Sequence, residues 1–152
     1  SEALYLAGIA CAASGRWTSS ITNSINLSAL TGCGKAGIYY NAKSTSFDIT
    51  YCMNVGQNSA GENQHNFPIS NVTGNISNCY YDSSKVIPGE SDDNGTPKPT
   101  AELKIDTPFD DSWSEDNWSF ANGRYPLPNI VEDIPGGKNG DYWQAVLRAA
   151  EN

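Results

Sequence analysis

Hydrophobic and polar positions repeat along the first half of the chain. Three segments align, Ile21–Asn26, Ile49–Asn54 and Ile76–Tyr81, and their leading isoleucines recur at an almost constant interval. Apolar and polar residues alternate within them, as a strand with one buried face requires. A single short unit cannot bury that face alone. The pattern therefore predicts that successive units stack in register.

A second set of positions supports the same register. Gly8-Ile9 precedes the first segment and Gly37-Ile38 precedes the second, at nearly the same interval, and Pro68-Ile69 stands in the third copy. Stacking would place equivalent residues of successive units in columns. The predicted columns are Ile21, Ile49 and Ile76, then Ser24, Cys52 and Cys79, then Ile25, Met53 and Tyr80, and a ladder of Asn26 and Asn54 that ends at Tyr81.

This pattern predicts an all-β fold, a short right-handed parallel β-helix (a solenoid) that occupies positions 1–82. It would have about three coils of roughly 27–29 residues each, a length within the range of known repeat architectures. The alternative is another all-β fold, such as an asparagine-rich β-sandwich in which the matches arise by chance. Residues 83–130 are predicted to form a loop and a C-terminal cap of the same domain. Residues 131–152 are predicted to form a linker and an amphipathic helix, capped by Asn139 or Asp141.

The predicted cap is rich in aromatic residues. A short helix capped by Thr100 is expected to precede Phe109, Trp113, Trp118, Phe120 and Tyr125. The open end of a strand stack has to be covered, which favours a hydrophobic lid. The second interpretation is an aromatic platform that stacks on sugar rings. Its ligand-binding residues would be Trp113, Trp118 and Tyr125.

Two stretches of the chain resemble a known family. The pattern Gly-Ile, present at Gly8-Ile9 and Gly37-Ile38, followed by Ile-x-Asn-Cys-Tyr resembles the GLUG-motif repeats of bacterial cell-surface proteins, and Ile76–Asp82 is the best copy of its second part. The segment Thr100–Pro126 resembles the closing segment of such arrays. The first copy departs from the motif at Ser24 and Ile25, and the second glycine of the fuller Gly-Leu-x-Gly signature is missing. The resemblance runs from about position 5 to position 128. It implies a β-helical solenoid in an adhesin-like surface protein, and it carries no catalytic residues.

Composition narrows the classes of partner. The formal net charge of −8 predicts repulsion from nucleic-acid phosphates and from anionic membranes. The chain has no apolar run of about 18 residues or more, so membrane insertion of this segment is not expected. The chain does not begin with methionine, so we expect a piece of a longer protein. Few lysines with many asparagines and serines are typical of an exported bacterial surface protein.

The residues that could carry chemistry give weak signals. Four cysteines, Cys11, Cys33, Cys52 and Cys79, allow three disulfide connectivities, but the stacked register favours buried free thiols. The single histidine, His65, lies in a polar stretch, which indicates a loop residue and not a catalytic base. The acidic pairs Asp110-Asp111 and Glu115-Asp116 could suggest the paired carboxylates of a glycoside hydrolase, but we expect them to lie in solvated loops.

A metal site is also weakly indicated. Residues 90–95 resemble the first half of a calcium loop, but Ala101 replaces the glutamate that the motif needs. No cofactor is therefore expected, with Ca²⁺ as the one candidate.

The functional hypothesis is a non-enzymatic adhesion or interaction module on the cell surface, with an unidentified host or bacterial glycan or protein as its partner. The alternatives are a carbohydrate-binding or carbohydrate-active β-helix domain, marked by acidic and basic side chains on one coil face, and a pure structural spacer.

Overall fold

The computed structural model describes residues 5–12, 20–31, 34–41, 47–59, 65–72, 74–89, 94–129 and 136–152. The chain forms two compact units, Ser1–Lys98 and Pro99–Asn152, here called unit 1 and unit 2. The boundary falls inside the segment predicted as loop and cap. Whether residues 83–130 cover an end of the strands stays a prediction.

Unit 1 consists of short strands. They are β1 Tyr5–Ala7, β2 Ala10–Ala12, β3 Ser20–Asn26, β4 Gly34–Ala36, β5 Tyr39–Asn41, β6 Asp48–Asn54, β7 Asn58–Ser59, β8 Asn66–Phe67, β9 Ile76–Ser77, β10 Tyr80–Asp82, β11 Val86–Ile87 and β12 Thr96–Lys98. All the named pairings are parallel. The largest sheet has the order β12-β10-β6-β3 with β9 also on β6, and smaller sheets join β1-β4-β8, β2-β5 and β7-β11.

Unit 2 mixes helix and strand. It contains α1 Thr100–Leu103, β13 Trp118–Ala121, β14 Arg124–Pro128, a 3-10 turn at Gly137–Asn139 and α2 Asp141–Glu151. Strands β13 and β14 form an antiparallel pair, and α2 contacts β14. Trp143 and Ala150 are buried and Val146 and Leu147 half-buried, so α2 buries the apolar face that the sequence predicts for it.

The predicted fold class is wrong. The chain is not an all-β, right-handed parallel β-helix; its described residues form a mixed structure, with short, mostly parallel strands in small sheets and two α-helices. One physical reason lies in unit 2, where residues predicted to form a loop and cap form an antiparallel hairpin that α2 contacts. Another lies in unit 1, where most strands are very short and do not continue as long coil faces.

The pairings that the repeat predicted between particular residues do occur. Ile21 pairs with Ile49, and Ile49 pairs with Ile76. Met53 pairs with both Ile25 and Tyr80. In the second set, the Ile9 N–H donates to the Ile38 carbonyl and the Ile38 N–H donates to that of Ile69.

The core of unit 1 includes several residues of these columns. Its buried cluster comprises Ile38, Tyr39, Phe47, Ile49, Cys52, Ile69, Val72 and Cys79, with Ile21 and Ile76 packed against it. Removing this apolar surface from water is the main driving force for stacking the repeats.

The predicted helix caps are wrong. Pro99, not Thr100, is the N-cap of α1, and Gly140, not Asn139 or Asp141, is the N-cap of α2. Neither cap makes a side-chain hydrogen bond. Pro99 has the restricted φ of proline, and the extended Gly140 leads directly into a first turn where Asp141 interacts favourably with the helix dipole.

Candidate functional site

The three aromatic residues predicted to bind sugar lie inside unit 2. Trp113, Trp118 and Tyr125 have relative exposures of 1%, 1% and 0%. The rings of Trp113 and Trp118 lie 4.3 Å apart between centroids, and the Lys104 ammonium lies 4.6 Å from the Tyr125 centroid. A platform for stacking on sugar rings needs an open ring face, and none of these three rings has one. Binding through these residues stays untested.

The remaining aromatic residues of the predicted cap complete the same cluster. Phe109 lies 5.1 Å from Trp113 and 6.1 Å from Phe120 between ring centroids. Such tilted and edge-to-face contacts are the geometries that aromatic pairs prefer. Phe109 and Phe120 are partly buried and thus extend the buried core that contains Trp113.

Arg124 borders that core. Its guanidinium donates to the Ser119 hydroxyl at 3.0 Å. Burial lowers the pKa of Arg124, and the Glu151 carboxylate partly offsets that change. Arg124 remains a cation at neutral pH and links the hairpin electrostatically to the end of α2.

Only the end of the candidate calcium loop is described, because residues 90–93 lie outside the described ranges. The Asn94 side chain is engaged with unit 1: its Oδ1 accepts the N–H groups of Ile69 at 2.9 Å and Ser70 at 3.2 Å. Its Nδ2 donates to the Ser70 carbonyl. These bonds give Asn94 a structural role at the end of the third repeat.

His65 and the acidic pairs take structural or solvent-facing places. His65 is exposed, and its ring stacks at 5.7 Å on Phe67. Asp110 accepts the Ser112 N–H at 2.8 Å and so shapes its own turn. Across the described ranges, no group of three or more His, Cys, Asp or Glu side chains is placed to hold a metal ion.

Cys52 and Cys79 are buried free thiols, which confirms that prediction for these two residues. Cys33 and the side chain of Cys11 lie outside the described residues. The Cys52 thiol donates to the Thr50 carbonyl at 3.3 Å, and the Cys79 thiol donates to the Ser77 carbonyl at the same distance. The Ser24 hydroxyl makes the same bond to the Thr22 carbonyl at 2.9 Å.

The column adjacent to these thiols has unusual backbone geometry. Asn23, Tyr51 and Asn78 stand at equivalent repeat positions, with φ values of 49°, 53° and 51°. This left-handed region is accessible to asparagine but costly for a bulky aromatic residue. Tyr51 is thus the residue in the column that the backbone does not favour.

The side chains beside this column form a polar surface. Thr22 pairs with Thr50, and Thr50 pairs with Ser77. The Thr50 hydroxyl donates to the Thr22 hydroxyl at 3.2 Å. Thr22 and Asn78 are exposed, while Tyr51, Thr50 and Ser77 are partly exposed. We name this set, Thr22, Asn23, Thr50, Tyr51, Ser77 and Asn78, the polar face.

Sequence reasoning missed Tyr51 as a site residue. The signal was present, because the aligned segments read Ile-Thr-Asn, Ile-Thr-Tyr and Ile-Ser-Asn. Asparagine in two of three copies indicates a left-handed position. The tyrosine in the middle copy is then the exception that needs an explanation.

Comparison with protein-family models, curated proteins and solved structures finds no significant match for this chain. The resemblance to GLUG-motif repeats therefore stays a prediction. Within the described parts of the chain, no helix combines the length and apolar character needed to cross a bilayer.

Proposed function

We propose that this chain is a non-enzymatic interaction module of a larger exported bacterial surface protein, serving adhesion or display. The acidic, asparagine- and serine-rich composition and the GLUG-like segments support an exported surface location. The polar face provides the binding surface, and its ligand is a glycan or protein on a host or bacterial surface.

The observation that carries the proposal is the backbone conformation of Tyr51. A bulky residue in the left-handed region costs of order 1–2 kcal/mol, and such strain concentrates at functional positions. Asparagine at the equivalent positions 23 and 78 avoids most of that cost. A tyrosine at this position supports a role for its side chain beyond the fold.

Carbohydrate binding is the second candidate function. The polar face combines one aromatic ring with side-chain amides and hydroxyls. Aromatic faces stack on the apolar faces of sugars, while amides and hydroxyls exchange hydrogen bonds with sugar hydroxyls. The net negative charge of the chain favours a neutral glycan over an anionic one.

The test is a binding screen of the intact chain against glycan and matrix-protein arrays, with Ca²⁺ and with EDTA. Two variants accompany the wild type. Tyr51→Asn restores the favoured residue type in the left-handed column and should leave the fold intact. Tyr142→Asn is the matched control, because Tyr142 is 65% exposed on α2 and is not part of the polar face.

The proposal expects a specific ligand that Tyr142→Asn retains and Tyr51→Asn loses. A glycan hit would select the carbohydrate-binding candidate, and a protein hit the adhesion module. Binding that survives Tyr51→Asn would overturn the assignment of the polar face. A blank result on both arrays would leave the structural spacer as the better interpretation. Signal only with Ca²⁺ would point to residues 90–95.

A further inference from the structure

Cys52 and Cys79 are neighbours in the interior of unit 1. Met53 pairs with Tyr80 on adjacent parallel strands, so the cysteines one residue earlier stand beside each other. Their relative exposures are 0% and 2%. Neither side chain belongs to the polar face, and neither is used by the proposed function.

The two thiols have equivalent orientations. Each donates to the carbonyl two residues earlier in its own strand, at 3.3 Å in both cases. Each also points at a carbonyl of the preceding repeat, Ile21 at 3.7 Å for Cys52 and Ile49 at 3.4 Å for Cys79. Side chains that repeat the same contacts on neighbouring strands are related by the strand spacing, about 4.8 Å.

That spacing distinguishes a disulfide bond from coordination of a metal ion by the two sulfurs. A disulfide needs sulfurs about 2.05 Å apart and Cβ atoms about 3.8 Å apart, so both thiols would have to leave their carbonyl partners. Two metal–sulfur bonds of about 2.3 Å in a line span about 4.6 Å, which matches the strand spacing without a change of rotamer. Thiolates select soft metal ions.

The low polarity of the buried site favours a metal ion with two positive charges. A buried site tolerates a net charge poorly, and two thiolates with a divalent soft ion are neutral. A metal ion bound by both sulfurs displaces both thiol protons.

We propose that Cys52 and Cys79 form a binding site for one soft, two-coordinate divalent metal ion of the Hg(II) type. Two S–H bonds break and their protons go to solvent. Two S–metal bonds form, and no electron is transferred. The site consists of two thiolates on adjacent strands of unit 1 and binds thiophilic metal ions.

The experiment is a titration with Hg(II) in the Cys11→Ser/Cys33→Ser background, which retains only the pair. We expect one equivalent to bind, with sulfur-to-metal charge-transfer absorption and two sulfur neighbours by X-ray absorption. Cys52→Ser or Cys79→Ser in that background should weaken binding by about 100-fold or more, because a single thiolate loses the chelate. Ser24 shows that serine fits this column.

A transplanted pair provides the decisive control. Ser24 pairs with Cys52 and has the same side-chain orientation. Ser24→Cys combined with Cys79→Ser therefore moves the dithiol one repeat back with its spacing unchanged, and tight binding should return. Failure of that variant to bind while circular dichroism shows it folded would overturn the proposal. Single-serine variants that bind as tightly as the pair would also overturn it, as would a Cys52–Cys79 disulfide formed in air.

If the background variant does not fold, the wild-type chain gives the second measurement. Cys52→Ser should then remove one tight equivalent of Hg(II) from the wild-type stoichiometry. An unchanged stoichiometry would assign the tight site to other cysteines and contradict the proposal.

Discussion

The Asn26 side-chain amide donates to the Asn54 side-chain oxygen at 2.9 Å, and this hydrogen bond joins two successive repeats. Asn54 is fully buried, and its own amide donates to the Pro68 carbonyl at 2.9 Å. The two asparagines thus form a ladder of buried hydrogen bonds that connects successive repeats within unit 1. A buried amide with both ends paired stabilises the fold and fixes the register.

The first prediction concerns this ladder. Asn54→Ala removes the acceptor of Asn26, leaves the Pro68 carbonyl without its donor and opens a small cavity. We expect the free energy of unfolding to fall by about 3 kcal/mol, measured by urea unfolding followed by circular dichroism. Asn75→Ala is the matched control, because Asn75 is exposed, and it should change stability by less than about 0.5 kcal/mol. Equal losses in the two variants would contradict a structural ladder.

The second prediction concerns the glycine that packs on the ladder. A Cβ on Gly37 would overlap the Pro68 carbonyl oxygen and the Asn54 amide, and neither group can retreat without breaking the hydrogen bond between them. Gly37→Ala should therefore cost about 3 kcal/mol or more.

The control for Gly37→Ala is Gly123→Ala. Gly123 has a φ of 78° and nothing within 4 Å of its missing Cβ, so only backbone strain of about 1 kcal/mol is expected. Comparing the thermal unfolding of the two variants separates the cost of steric overlap at position 37 from the cost of backbone strain at position 123. A Gly37→Ala variant as stable as Gly123→Ala would show that the repeats relax to admit a methyl group.

The repeat register could be predicted from sequence because it depends on a few strong apolar positions. Ile21, Ile49 and Ile76 gave the correct pairing, and so did the asparagines of the ladder. These positions are spaced by the repeat itself, and burial of their side chains requires one register.

The fold class and the site could not be predicted in the same way. Apolar periodicity does not reveal that Asn23, Tyr51 and Asn78 adopt positive φ or that most strands are very short. The aromatic residues of unit 2 were ambiguous for another reason. Composition does not distinguish a buried ring such as Trp118 from an exposed one, and only tertiary packing decides that.

The third prediction tests the backbone cost at Tyr51. Tyr51→Asn should raise the free energy of unfolding by about 1 kcal/mol, because asparagine tolerates the left-handed region. Tyr51→Ala keeps the unfavourable φ and loses the ring, so it should bring no gain. Urea unfolding of the two variants beside wild type makes the comparison. A gain in Tyr51→Ala, or a loss in Tyr51→Asn, would show that the column is not strained by its tyrosine.

The fourth prediction concerns the core of unit 2. Trp118 is buried, and its indole Nε1 has no hydrogen-bond partner among the described residues. Trp118→Phe removes this unpaired donor together with part of the ring, so the two effects oppose and the net cost should be below about 1 kcal/mol. Trp118→Ala should cost about 3–5 kcal/mol. Hydrogen exchange of amides in 99–129 gives the local stability, and similar losses in both variants would mean that the indole nitrogen is paired.

The last prediction is a pH dependence that belongs to the buried thiols. The raised pKa of Cys52 means that the folded chain keeps a proton that the unfolded chain releases at its ordinary thiol pKa of 9.0. Stability from this group is fully present below about pH 9 and is lost as the pH rises from there towards the folded pKa, by about 1.4 kcal/mol per pH unit. The lowered pKa of Cys79 contributes stability that is already complete above that pH and does not change the slope. The Cys52→Ser/Cys79→Ser variant lacks both contributions, and subtracting its unfolding free energy from that of wild type cancels the ionisation of other groups. The difference should fall steadily between about pH 9 and pH 10.5, and a flat difference would show that both thiols ionise as readily in the folded chain as in the unfolded one.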